Sequence, residues 1–113
     1  MIFNNLGSSL SIRFQLVGDL NDIKKSVLVE EEAVRLIHDG HYLKPSTLIG
    51  LGLSLSYRFD RLGDLRDLNK SVFIKEEAVR LTPGGHHEKP PMLNSLGLSL
   101  SRRFEILGGF QRQ

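Results

Sequence analysis

Cysteine is absent from the 113-residue chain. Its absence excludes disulfides, thiolate zinc centres and cysteine nucleophiles, and is compatible with a reducing compartment. Long apolar runs are missing as well: no stretch approaches the roughly 18 consecutive apolar residues that cross a bilayer. The opening residues, Met1 to Gly7, carry Asn4 and Asn5 in place of a basic stretch followed by an apolar run, so they do not read as a secretion signal. Charge of one sign is scarce: 15 Lys and Arg stand against 13 Asp and Glu, a formal excess of +2. That is too little for a nucleic-acid footprint. Opposite charges are interleaved, as in Lys24, Lys25, Glu30, Glu31, Glu32 and Arg35, the pattern of solvated helix faces. The expectation is a cytoplasmic protein with neither a membrane nor a nucleic acid as partner.

Chemical signatures are lacking too. There is no G-x-S-x-G, no phosphate-binding G-x-x-x-x-G-K-[ST], no H-E-x-x-H, and no G-x-G-x-x-G at a strand-to-helix turn. No enzyme and no cofactor are expected. Histidines cluster in His38, Asp39 and His41, and again in His86, His87 and Glu88. Adjacent residues of a Gly-rich loop seldom converge on one ion, so no metal site is expected. His41 and His86 hold the same place in a repeat, which points to a loop-ordering role such as bonding a helix-end carbonyl.

What the sequence has is repetition. Leu6-Gly7-Ser8-Ser9-Leu10-Ser11-Ile12-Arg13-Phe14 recurs as Leu51-Gly52-Leu53-Ser54-Leu55-Ser56-Tyr57-Arg58-Phe59 and as Leu96-Gly97-Leu98-Ser99-Leu100-Ser101-Arg102-Arg103-Phe104, offset by 45 residues each time. Residues 6 to 45 and 51 to 90 share 24 identities in 40 positions without a gap. With 40% hydrophobic residues the chain suffices for one domain. It divides into repeat 1 (1–44), repeat 2 (45–89) and half of repeat 3 (90–113).

The period within each copy is helical. Leu48, Leu51, Leu55, Phe59 and Leu62 form one stripe at spacings of three, four, four and three. Pro45 and Pro90 suit a first helical turn, and Gly18 and Gly63 the left-handed residue past a C-terminus. Asp19 and Asp64 read as N-caps, with Asp22 and Asp67 in the first turn. A second helix follows through Leu65, Leu68, Val72, Ala78, Val79 and Leu81, and ends at Thr82-Pro83-Gly84-Gly85, or at His38-Asp39-Gly40 in the first copy. These signals predict an all-α chain of five helices: A1 (2–16), B1 (20–37), A2 (45–61), B2 (65–81) and A3 (90–107). Such helix pairs hide their apolar stripe only against neighbouring copies.

Leu48, Leu51, Gly52 and Leu55 follow the large-large-small-large signature of the first helix of a tetratricopeptide repeat. Ser71, Ala78 and Pro83 follow that of the second. The chain also resembles fungal tetratricopeptide arrays through Asn4-Asn5-Leu6-Gly7, Arg58-Phe59, Gly63-Asp64-Leu65-Arg66-Asp67-Leu68, Glu77-Ala78-Val79-Arg80-Leu81-Thr82-Pro83, Gly85-His86 and Lys89-Pro90. The 34-residue period of an ordinary tetratricopeptide repeat is lengthened here to about 45, as in those fungal arrays, by longer helices and a longer loop. The resemblance implies an α–α superhelix of about two and a half repeats. Two departures stand out: Lys75 and Glu30 occupy a position where the family carries a large apolar residue, and His38 replaces the terminating proline of the first copy.

In that family the A helices line a concave groove that binds a protein or peptide. The row offered to a ligand is Ile49, Leu53 and Tyr57 in A2, Asn4, Ser8 and Ile12 with the adjacent Asn5 in A1, and Asn94, Leu98 and Arg102 in A3. Arg102 is placed to meet a carboxylate. Arg13, Arg58 and Arg103 each precede a Phe and are read as structural, through an ion pair or carbonyl contact across the A-to-B turn. No B helix follows A3, so Leu96, Leu100, Phe104 and Leu107 are expected to leave apolar surface. The alternative function is therefore a homo-oligomer or a fragment of a longer array that associates through A3.

Overall fold

The computed structural model describes residues 20–111, and every described element is an α-helix. In chain order they are α1 (Leu20–Leu36), α2 (Lys44–Leu62), α3 (Leu65–Leu81) and α4 (Lys89–Gln111). The expected five helices are therefore four among the described residues. A1, at 2–16, lies outside them, with Arg13 and Gly18. α1 matches the predicted B1, α2 matches A2 to within one residue at each end, and α3 matches B2.

α4 departs from expectation by running past Gly108 and Gly109 to Gln111. The reason is visible at the equivalent place in the second repeat. There Gly63 takes φ +71° and donates its N–H to the Phe59 carbonyl at 2.7 Å, which closes α2. Asp64 then caps α3, its carboxylate accepting from the Arg66 N–H at 2.9 Å. In the third repeat glycine holds both positions, Gly108 lacks the positive φ of Gly63, and no acidic cap starts a new helix.

Each helix packs on the next in sequence, α1 on α2, α2 on α3 and α3 on α4. The apolar stripe read from the sequence is what α2 buries: Leu48, Leu51, Leu55 and Phe59 are buried, whereas Leu62 at the rim is 51% exposed. Val27 of α1 meets Leu51 and Leu55, with Val34 and Ile74 against them, so α2 lies between α1 and α3. Small residues bring α2 and α3 close. A Cβ on Gly52 would lie 2.9 Å from Lys75 Cγ, and the Ser71 hydroxyl donates to the Gly52 carbonyl at 2.7 Å.

Polar contacts fix the turns. Arg58 grips Asp67 with two parallel bonds of 3.0 and 2.9 Å across the α2–α3 turn, an ion pair being one of the two contacts expected of it, the other a carbonyl contact. The loops after α1 and α3 share one geometry. His41 N–H bonds the His38 carbonyl at 3.0 Å, and His86 N–H bonds the Pro83 carbonyl at 3.2 Å. The backbone carbonyl makes that turn, so His38 serves where the second copy has proline.

The lysine of each Lys-Pro pair completes the joint. Lys44 Nζ donates to the Val34 and Ile37 carbonyls at 2.9 and 2.6 Å, and Lys89 Nζ to the Thr82 carbonyl at 2.9 Å. Each thereby satisfies the end of the preceding helix with a positive charge.

Candidate functional site

α2 and α4 both rest on α3, and the trough between them holds part of the predicted ligand-facing row. Its wider part, roughly 320 Å³, is lined by Ile49, Leu53, Pro91 and Met92, with Ser46, Ser95 and Glu88 at its edges. A second cavity of roughly 180 Å³ shares Leu53 and Ser95 with the first and continues to Leu98, Phe59 and Arg102. The first volume falls at the lower end of the range of about 300 to 1,000 Å³ usual for small-molecule sites, and the second falls below it.

Of the row named from the sequence, Ile49, Leu53, Leu98 and Arg102 border these cavities. Tyr57, half-buried, and Asn94, exposed, line neither. Asn4, Asn5, Ser8 and Ile12 lie outside the described residues. Arg102 is already engaged: its guanidinium pairs with Asp60 and lies 5.0 Å from the Phe59 ring centroid. Its expected place against a ligand carboxylate is thus taken by Asp60 of α2.

The second cavity has a floor that the helical period does not reveal. Lys75 of α3, only 3% exposed, lines it together with Ser56 and Ser99. Its ammonium donates to Ser99 Oγ at 2.7 Å and to Ser56 Oγ at 3.4 Å. Burial pushes its pKa down from 10.5 to about 8, against the opposing pull of the Asp60 carboxylate.

The equivalent site one repeat earlier reverses the charge. Glu30 of α1 is 1% exposed, and the hydroxyls of Ser26 and Ser54 donate to its Oε1 at 3.0 Å each. The two signals that mark these positions are a charge within the apolar stripe of a B-type helix and the recurring serines of L-G-L-S-L-S.

Around the loops, His41 Nδ1 accepts from the Leu43 N–H at 3.0 Å and His86 Nδ1 from the Glu88 N–H at 3.1 Å. Both order their loops, but by accepting from the start of the next helix instead of donating to a helix-end carbonyl. Among the described residues no group of three or more His, Cys, Asp or Glu is arranged to hold a metal ion. No helix there is long and apolar enough to cross a membrane.

α4 presents a different surface. Leu93, Leu100, Phe104 and Leu107 are 48, 37, 72 and 46% exposed, while Leu96 is half-buried. Arg103, lacking an acid where repeat 2 has Asp67, reaches Asn69 Oδ1 at 3.4 Å. Comparison with known proteins is silent: no family model, curated protein or solved structure matches the chain.

Proposed function

We propose that the chain is a non-catalytic scaffold of the tetratricopeptide type, its helix pairs stacked as an α–α superhelix, which holds an extended segment of a partner protein in the trough between α2 and α4. One observation carries the reading. Ile49, Leu53 and Leu98, chosen from the sequence as ligand-facing, line a pair of adjoining cavities bounded by two successive A-type helices. The trough offers apolar walls with hydroxyls at intervals, the mixture that suits an extended peptide. Zero cysteine and near-neutral charge accord with a cytoplasmic place of work.

The test is capture of extended peptides by the full chain and by Leu53→Glu, which places a charge on the wall shared by both cavities. Retained helicity with lost capture is expected. Unchanged capture removes the trough from consideration.

A second reading rests on α4. Residues whose counterparts are buried in α2 lie open there, and a further copy of the chain is the alternative partner. Sedimentation should then show a mass that grows with concentration and reverts to monomer in Leu100→Asp. A stable wild-type monomer at high concentration defeats this reading.

A further inference from the structure

The trough reading leaves the partner's chemistry open, and the floor of the second cavity narrows it. Lys75 brings a cation into a site walled by Leu53, Leu98 and Phe59. Such a charge is costly to bury unless an opposite charge or several hydrogen bonds compensate it. An ammonium carries three hydrogens. Here two hydroxyl oxygens accept from it, one at 2.7 Å and the other at a long 3.4 Å. The acid that acts on it electrostatically is Asp60, and Asp60 is held by Arg102. The ammonium thus lies on the wall of a cavity beside two hydroxyls, with no carboxylate bonded to it among the described residues.

We propose that this cavity receives the carboxylate of a Glu or Asp side chain from the extended partner segment, with Lys75 as its counter-charge and Ser99 as a neighbouring donor, the Ser56 hydroxyl being turned to Ser71. The inference rests on the trough being a peptide site and adds which residue the peptide must supply. A side chain fits better than a chain end. It delivers the carboxylate to the floor while the peptide backbone stays at the mouth, where water satisfies its N–H and C=O groups. The adjoining apolar cavity, which shares Leu53 and Ser95, takes a neighbouring apolar side chain of the same segment. The charge reversal at Glu30 confines this preference to the joint between the second and third repeats.

The experiment uses two pools of acetylated, amidated heptapeptides, randomised alike except for a central Glu in one and a central Gln in the other, passed over the immobilised full chain. The wild type should retain the Glu pool at least about ten-fold more strongly than the Gln pool. In Lys75→Met, with helicity checked by circular dichroism, Glu retention should fall to the Gln level while Gln retention holds. If both pools are retained equally on the wild type, and Leu53→Glu releases both, the trough stands and the assignment to Lys75 is overturned. If neither pool exceeds the Leu53→Glu background, the trough reading fails and this inference with it.

Discussion

α2 and α4 carry the same motif and live in opposite surroundings. Leu48, Leu55 and Phe59 are 2, 0 and 7% exposed, whereas their counterparts Leu93, Leu100 and Phe104 are 48, 37 and 72% exposed. Gly52 is pressed against Lys75, and Gly97 meets nothing within 4 Å. Arg58 holds Asp67, and Arg103 reaches an asparagine. A repeat motif therefore encodes a helix and a face, but not the neighbour that covers that face. Among the described residues α2 has a B-type helix on either side, and α4 has one.

Deleting a core side chain should break the symmetry most. Leu55→Ala should cost about 2–5 kcal/mol in urea unfolding, because a fully buried leucine leaves a cavity, while Leu100→Ala should cost under about 1 kcal/mol, since surface changes act weakly. The next largest contrast is ionic. Arg58→Ala strands Asp67, which is only 7% exposed, and should cost about 2–3 kcal/mol, the lower end for a broken buried pair because Arg58 is partly solvated. The same change at Arg103 should fall within about 0.5 kcal/mol.

Glycine gives a contrast of sign. Gly52→Ala should destabilise by about 1–3 kcal/mol through overpacking, and Gly97→Ala should stabilise by up to about 1 kcal/mol through helix propensity alone. Thermal unfolding of both variants suffices to check it.

The smallest effect is a pH dependence at the junction of the two helices. Lys75 titrates near 8 when folded and near 10.5 when unfolded. Between those values the unfolded chain binds more protons, so the lysine's penalty is in full force below about pH 8 and fades as the pH rises. Lys75→Met should stabilise the protein by about 1–2 kcal/mol at pH 7, with the gain over wild type shrinking towards pH 10.5. A gain that is flat with pH would contradict the burial of a charged amine.

Much of the fold was legible because its signals are local. Leucine spacing, the Gly63 stop, the Asp64 cap and Pro45 place α2 and α3 to within a residue, since each acts within one turn of the helix it bounds. That Arg58 fixes the turn was legible from its recurrence, whereas its partner was not, since Asp67 reads in the sequence only as a first-turn carboxylate. The site was less so. Periodicity treats a lysine as surface, yet its methylene stem packs like an aliphatic chain and carries the charge inward. The pairing of Arg102 with Asp60 depends on the lateral distance between α2 and α4, which no spacing within either helix reports. The continuation of α4 past Gly108 was not legible, because a glycine ends a helix only when the backbone takes positive φ and a following cap competes for the chain. The loop-ordering role of the histidines was legible, but which backbone group they meet depends on a ring orientation that sequence leaves open.

Ser54 and Ser99 stand opposite Glu30 and Lys75, one hydroxyl donating to an acid and the other accepting from a base. A hydroxyl is a counterpart without polarity of its own: it turns its proton towards an anion and its lone pair towards a cation. Such a residue lets a duplicated module drift from acidic to basic through uncharged steps without rebuilding its neighbour. Successive copies of one hairpin can then become distinct sockets while their shared framework stays as it was.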